Sequence, residues 1–500
     1  MSNFKKPLIK VAFVCVLLFS FSSSGKIKTL YSSIEKESLS KQFAFLSLFP
    51  NSEEAGKIKE HLNELIKIQL PGFLFDPTIA FQFSTLFNAN VEADSSFIDS
   101  VVVEKLKILT DQFPNKQLKG NTVSSFEELK KLAVDEVDLS RGLLLIDSSQ
   151  PQSTYETLID LMTLQIQAYL PKNPTPMDKI KAINQFLFYD IGIKFPPESL
   201  FAKNIDTYTF LPAVLDSRLG VCLGVSALYL CLAQHLDLPL EIITPPGHIY
   251  LRYRDDQTLL NIETTARGIH IPNEHYLGVN TCALQERNIK EVLGMVLINE
   301  ASIFWHKKEY TTAIDRYEKA LLFLPNDGQL HEFLGIQYFL TNQFTKAKAH
   351  LEFAKSHPLD HVIYQSTLID DVLNRTCTKE AIEAIFDSID SSFESVLKKQ
   401  KELKKIVQKN PRFASGYFHL AVATLQLGQE LKAVPYLEKY LIFHPKDPVV
   451  HYYLGVVFFE THAFEKAWKH LLLSESHFKN KKPKALNELR LQLQRVYPRS

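Results

Sequence analysis

A cysteine, a histidine and a glutamate stand in an order that permits thiol chemistry. Cys222 begins a predicted helix, His248 begins a predicted strand after two prolines and a glycine, and Glu263 ends the following strand. The positive end of a helix favours a thiolate, and an imidazole serves as a base near neutral pH. A carboxylate on a neighbouring strand can orient that imidazole. The three residues are therefore candidates for attack on an acyl or amide carbonyl.

The elements that must position these residues form an α+β unit. Residues 175–178 (TPMD) predict a capped helix start, because Thr and Asp can cap each other around a proline at the first helical position. A second helix runs from Cys222 to about His235, and strands are predicted at 240–244, 248–253 and 258–263. This order of a helix followed by a hairpin predicts an antiparallel sheet.

Small residues around Cys222 add to the thiol interpretation. Gly220 and Gly224 let backbone or substrate approach the sulfur closely, and N–H groups at the helix start can hold a developing oxyanion. Cys231 lies nine residues further along the same predicted helix. The two sulfurs are then about 13 Å apart along the axis on opposite faces, so they cannot form a disulfide, and Cys231 is predicted to pack in the core.

Each candidate also has a plain structural interpretation. A cysteine in an apolar helix is usually a small core residue, His248 can be a turn residue, and Glu263 a solvated strand end. Arg252 and Arg254 flank the proposed cleft strand. They can bind a substrate carboxylate, but exposed hairpin charges are the commoner arrangement.

The C-terminal part of the chain carries a helical repeat. Four alanines recur in similar sequence segments. The first two are 34 residues apart, and so are the last two. A small residue lies twelve positions before each of them. These residues are Ala313, Ala347, Ala433 and Ala467, preceded by Ala301, Gly335, Ala421 and Gly455. A 34-residue helix–turn–helix period resembles tetratricopeptide repeats, whose concave face binds proteins or peptides.

The N-terminal 25 residues are typical of an export leader. Three lysines precede the short apolar run VAFVCVLLFSF, and small residues follow it. Such a run is shorter than the roughly 20 residues that span a bilayer, so cleavage near Ser24 is expected. The mature chain is predicted to be exported, periplasmic or secreted, without a membrane span; a retained leader would hold it at the inner membrane. With 56 basic and 56 acidic residues, no nucleic-acid partner is expected.

Three segments, GVCLGVSALYLCLAQHLDLP, PPGHIYLRY and LNIETTARG, resemble the core of the transglutaminase-like superfamily, which has a papain-like fold. They are most similar to the bacterial branch in which tetratricopeptide repeats follow that core. The resemblance covers roughly residues 125–300. It implies that Cys222 is the nucleophile, His248 the base and Glu263 the residue that orients His248. The superfamily usually has Asp at the position of Glu263, and Asn261 is the alternative orienting residue.

The sequence therefore predicts a mainly α protein, with an α+β papain/transglutaminase-like core followed by an all-α solenoid. The predicted parts are a signal peptide (1–25), a helical N-terminal region (26–124), a transglutaminase-like domain (125–293), repeats (294–484) and a capping helix (485–500). The function predicted is cleavage or transfer at an amide or acyl bond of a protein or peptide, as a hydrolase, peptidase or acyltransferase, without metal or cofactor. The alternatives are a catalytically silent scaffold and an adaptor that acts through its repeats.

Overall fold

The computed structural model describes residues 24–66, 75–88, 100–146, 152–197, 205–359, 361–363, 366–387, 389–390, 392–478 and 483–498. Most of these residues are helical, and one small sheet lies in the middle of the chain. The fold class predicted from the sequence is confirmed. Residues 1–23 of the predicted leader lie outside the described residues. Among the residues that are described, none of the helices combines the length and apolar character needed to cross a membrane.

Five helices precede the α+β unit. They are α1 (Ser24–Ser32), α2 (Leu39–Leu48), α3 (Glu53–Ile66), α4 (Pro77–Asn88) and α5 (Ser100–Thr110). Their apolar faces share a core in which the rings of Phe43 and Phe83 stack at 5.1 Å. Leu161 and Leu164 of the later helix α8 (Gln152–Ala168) complete this core. The N-terminal helices are thereby packed against the α+β unit.

The remaining helices before the sheet surround the cysteine helix. They are α6 (Phe126–Leu129), α7 (Leu139–Ile146), α8, α9 (Pro176–Asn184, continued by a π-helical turn over Gln185–Asp190), α10 (Leu211–Ser217) and α11 (Cys222–His235). The reciprocal Thr175–Asp178 cap predicted at the start of α9 is present. Helix α11 is buried almost all round, with nine of its apolar side chains in the core, so its position is fixed from every side.

Residues 127–146 (EELKKLAVDEVDLSRGLLLI) have the pattern of an amphipathic helical stretch, but α6 and α7 are separated by a loop with one 3₁₀ turn at Val134–Glu136. Helix α7 begins directly after Asp138, which is fully buried and whose carboxylate accepts hydrogen bonds from Asn115, Asn121 and Ser140. It also accepts the Arg141 N–H at 3.3 Å. A side chain that caps a helix in this way fixes where that helix begins.

The sheet has four antiparallel strands in the order β3-β2-β1-β4. They are β1 (Glu241–Thr244), β2 (Tyr250–Arg254), β3 (Leu259–Ile262) and β4 (Gln285–Arg287). The first three agree with the predicted strands. Strand β4 was not predicted, because QER has no apolar alternation. Its place in the sheet comes from pairing with β1, where Ile243 faces Glu286.

The C-terminal half is a series of helix pairs. The pairs are α12 (Ile289–His306) with α13 (Tyr310–Ala320), α14 (Gly328–Leu340) with α15 (Phe344–Ser356), α19 (Ala414–Gln426) with α20 (Glu430–Phe443), and α21 (Pro448–Glu460) with α22 (Phe464–Glu475). Between the second and third pairs lie α16 (Leu368–Leu373), α17 (Lys379–Phe386) and α18 (Phe393–Lys409), and α23 (Lys484–Val496) follows the last pair. All four repeat alanines are buried. A Cβ added to Gly335 would stand 2.7 Å from Leu351 of the paired helix, which explains the small residues at these crossings.

The α+β unit and the solenoid share one core. The central cluster of buried side chains runs from Val123 to Ala423, and the predicted boundary between residues 293 and 294 falls inside α12. A short antiparallel pairing also joins the two parts: the Cys282 N–H donates to the His361 carbonyl at 2.9 Å, and the Ile363 N–H donates to the Asn280 carbonyl at 2.9 Å. The loop after the sheet is thus fastened directly to the repeats.

Candidate active site

Cys222 is the first residue of α11, and its side chain is partly exposed. The residue before it is Val221, whose side chain cannot cap the helix. The N–H groups of the first turn therefore keep the partial positive charge of a helix start next to the sulfur. Four residues later, Ser226 makes a buried 2.9 Å hydrogen bond with Thr264, the neighbour of Glu263. This bond ties the cysteine helix to the segment that carries the glutamate.

His248 lies in the loop between β1 and β2, two residues before β2 begins. A turn positions it: the His248 N–H donates to the Pro245 carbonyl at 3.0 Å, and Gly247 adopts a φ of 70°. That backbone conformation favours glycine. A quarter of the His248 side chain is exposed to solvent, so the ring is held in place yet accessible.

Glu263 directly follows β3, and only 4% of its side chain is exposed. One carboxylate oxygen lies 2.7 Å from His248 Nε2. The other oxygen accepts the Thr265 hydroxyl at 2.6 Å and the Thr265 N–H at 3.1 Å. The Tyr276 hydroxyl donates to the same oxygen that contacts His248. The carboxylate is thus fixed by three groups besides the imidazole.

The electrostatics of the site favour a charged imidazole. Burial by itself lowers the pKa of His248, but hydrogen bonds and charge attraction from Cys222 and Glu263 outweigh it and raise this pKa to about 10. Burial raises the pKa of Glu263, yet hydrogen bonds from His248, Thr265 and Tyr276 bring it down to about 2. Because Glu263 is at Nε2, the other ring nitrogen, Nδ1, is the one through which Cys222 can raise this pKa. A cation beside a sulfur is the setting in which cysteine nucleophiles operate.

Substitution of Glu263 by glutamine is expected to lower the pKa of His248. The variant keeps the shape of the side chain but removes the negative charge that favours the imidazolium. The midpoint of the His248 titration, about 10 in the wild type, should therefore move down toward the ordinary value of about 6.5. Carbon–proton NMR of histidine-labelled protein measures the midpoint, with the resonance assigned by its loss in His248→Ala. An unchanged midpoint would show that Glu263 does not act on this ring.

Asn261, the alternative orienting residue, is engaged elsewhere. It is fully buried on β3, its side-chain oxygen accepts Arg252 Nε at 2.9 Å, and its NH₂ donates to the Ile271 carbonyl and to Asn273. Arg252 is buried, so the prediction that it is an exposed hairpin charge was wrong. The same prediction is correct for Arg254, which is exposed. Asn261 and Arg252 support the sheet beneath the site.

Tyr276 is a residue of the site that the sequence reasoning missed. Its ring stacks on Tyr250 at 4.5 Å and lies parallel to the His248 ring at 5.7 Å. With its hydroxyl on Glu263, it covers the His248–Glu263 pair from one side. No motif marks it, because it lies thirteen residues after Glu263 in a loop whose path depends on the sheet.

The other described cysteines stand in different surroundings. Cys231 and Cys377 are buried, Cys282 is exposed, and none of the three forms a disulfide. Burial raises the pKa of Cys231 well above that of a free thiol, and the pKa of Cys377 to about 12. Within the described ranges, no group of three or more His, Cys, Asp or Glu side chains is arranged to hold a metal ion.

A known family model matches the part of the chain that carries this site. Residues 153–276 match the family model described as the transglutaminase-like superfamily. This segment is a transglutaminase-like domain. The match includes Cys222, His248 and Glu263 and ends at Tyr276. The resemblance inferred from the sequence is confirmed, and the chain joins a transglutaminase-like domain to tetratricopeptide-type helix pairs.

Two relatives and two solved structures are similar to parts of the chain. A "UPF0162 protein" of Xylella fastidiosa strain Temecula1 is 21% identical over 224 residues, covering 40% of this chain and 76% of the relative. That of strain 9a5c is 20% identical over 246 residues, covering 45% and 85%. A tetratricopeptide repeat protein from Parabacteroides merdae is 12% identical (TM-score 0.20, 74% and 98% covered). YrrB, described as a tetratricopeptide protein with an unusual peptide-binding site, is 16% identical (TM-score 0.20, 41% and 92%).

Proposed function

We propose that this protein is a thiol enzyme of the transglutaminase-like type that acts on an amide or acyl bond of a protein or peptide. The observation that carries the proposal is the 2.7 Å contact between His248 Nε2 and Glu263, on a ring whose pKa Cys222 also raises. A nucleophile, a base and a group that orients the base then act on one another. Cys222 is accessible from solvent, as attack on a substrate requires.

The reaction follows from the roles of these groups. The Cys222 thiol passes its proton to His248 as its sulfur forms a bond to the substrate carbonyl carbon. The resulting oxyanion is stabilised by N–H groups at the start of α11. His248 then gives its proton to the leaving amine as the carbon–nitrogen bond breaks, which leaves a thioester on Cys222. Water or a second amine attacks the thioester while His248 accepts its proton, so the thiolate is regenerated by hydrolysis or by acyl transfer.

The test compares the partly exposed thiol of Cys222 with the exposed thiol of Cys282 in one protein. Cys222 is expected to react with iodoacetamide at pH 6 at least tenfold faster than Cys282, because it has an imidazolium beside it. Peptide mass mapping of a time course measures both rates, and buried Cys231 serves as the unreactive reference. If Cys222 reacts no faster than Cys282, the thiol is not activated. The silent-scaffold interpretation then replaces the enzymatic one.

We propose that the repeats bind the protein or peptide substrate. Paired helices of this type stack into a curved surface whose inner face holds an extended segment or a helix. The pairing of residues 280–282 with 361–363 keeps that surface at a fixed position relative to the site. A bound segment would therefore meet Cys222 in a reproducible orientation, which favours reaction.

We propose further that the chain is exported. The support is the order of lysines, apolar run and small residues in the N-terminal 25 positions, which is typical of a cleaved leader. Expression of the full chain in a bacterium, followed by fractionation and N-terminal sequencing, is expected to yield a periplasmic or secreted protein that begins near residue 25. Recovery of an uncleaved protein in the cytoplasm would contradict export.

A further inference from the structure

A cavity of about 400 Å³ lies between the helices of the solenoid and the loops of the transglutaminase-like domain. Pro246, two residues before His248, lines it on the side of the loops together with Asn280. Tyr440 of α20 and Val449 of α21 line it on the side of the later helix pairs. We call this space the groove cavity. Its walls therefore run from the histidine loop to several helix pairs.

The walls combine aromatic rings with negative charge. Phe333, Phe386, Phe418 and Tyr440 line the groove cavity, and no lysine or arginine is among its described lining residues. Two carboxylates lie there, Glu332 and Asp447. Asp447 is occupied, because it caps α21 through two backbone N–H groups and accepts the Tyr440 hydroxyl at 2.7 Å.

Glu332 is the carboxylate available to a ligand. It lies in the first half of α14, next to Phe333, and is partly exposed to the groove cavity. Burial raises its pKa to about 6, against a hydrogen bond from Ser366 that lowers it, and no cationic group is among the influences on this pKa. Nearby His419 supplies no charge at neutral pH, since burial and the charge of Lys399 lower its pKa to about 4.

From this arrangement we infer that the groove cavity binds an extended peptide segment and seats one of its lysine or arginine side chains on Glu332, among the aromatic rings. A carboxylate pairs with a cation most strongly where water is largely excluded, and aromatic faces attract the same cation. The methylene groups of a long basic side chain would cover the phenylalanines. This inference concerns binding and does not require that Cys222 be catalytic. Because Pro246 lines the groove cavity on the side of the loops, the bound segment would run toward His248.

Binding of defined peptide pools tests the inference. The probes are three fluorescein-labelled pools of random nonapeptides, whose central residue is fixed as lysine, glutamate or norleucine, and binding to the full chain is followed by fluorescence polarisation. The lysine pool is expected to bind at least tenfold more tightly than the other two. Glu332→Gln should reduce the affinity for the lysine pool to the affinity for the norleucine pool. Glu352→Gln, an exposed position on α15, is the matched control and should change nothing.

A charge reversal makes the test independent of any loss of fold. Glu332→Lys should prefer the glutamate pool over the lysine pool, a gain of binding that a misfolded protein cannot show. Equal binding of the three pools to the wild type would overturn the inference, as would tightest binding of the norleucine pool. A lysine preference that survives in Glu332→Gln would also overturn it. None of these results depends on thiol reactivity, so failure here is distinguishable from failure of the proposed enzymatic function.

Discussion

Alkylation of Cys222 by iodoacetamide at pH 6 should become about a hundredfold slower when His248 is replaced by alanine. An ordinary thiol with a pKa of about 8.5 is less than about 1% thiolate at that pH. In the wild type the His248 imidazolium, with a pKa of about 10, stays charged at pH 6, and a cation of this kind beside a sulfur favours thiol reactivity. Removal of the ring returns Cys222 to ordinary behaviour, and the lower intrinsic nucleophilicity of a stabilised thiolate limits the difference to about two orders of magnitude.

The measurement has its control within the same molecule. Cys282 is exposed and lies outside the triad, so its alkylation rate should be the same in the wild type and in His248→Ala. The difference between the two proteins should also shrink as pH rises, because a thiol ionises near pH 8.5 without help from a cationic neighbour. A rate for Cys222 that is equal in both proteins at pH 6 would remove His248 from the proposed mechanism.

Gly224→Ala is expected to destabilise the protein by about 2 kcal/mol and to slow the alkylation of Cys222. A Cβ at this position would overlap the Tyr208 carbonyl oxygen and would stand 3.0 Å from a Val214 methyl group. The obstacle is backbone, which moves less readily than the end of a side chain, so overpacking of roughly 1–3 kcal/mol should exceed the helix preference for alanine. The Tyr208 carbonyl also accepts the Val221 N–H at 3.2 Å, so its displacement would shift the start of α11.

Urea unfolding measures the first effect, and the Cys222 alkylation rate at pH 6 measures the second. Gly278→Ala is the matched control, because nothing lies within 4 Å of a Cβ placed there. That variant should unfold within about 0.5 kcal/mol of the wild type and react at the same rate. Wild-type stability in Gly224→Ala would show that the loop before α11 adapts freely.

Local signals in the sequence predicted much of the framework around the site. The Thr175–Asp178 cap, the start of α11 at Cys222 and the hairpin of β2 and β3 all depend on residues close in the chain. The glycine at 224 was expected to admit backbone or substrate to the sulfur. What approaches it is the Tyr208 carbonyl, a contact between segments that no local pattern indicates.

Long-range contacts account for what the sequence did not predict. Arg252 appeared as a hairpin charge, yet Asn261 and Asn273 bond it in the interior. Asp138 is held at the start of α7 because Asn115 and Asn121 both donate to it from an earlier segment. Strand β4 forms because it pairs with the edge of β1. In each case a polar group is satisfied by partners distant in sequence, and periodicity carries no information about such partners.

The continuity of α12 has a consequence for how this protein can be divided. A fragment that stops at residue 293 would cut that helix five residues after its start and expose Leu293, which packs against Gly142. It would also leave the 280–282 segment without the strand partner that holds it near Tyr276. Excising the thiol domain would thus damage it, so a loss of reactivity in such a fragment would say nothing about the repeats. Point variants in the intact chain are the way to separate the two roles.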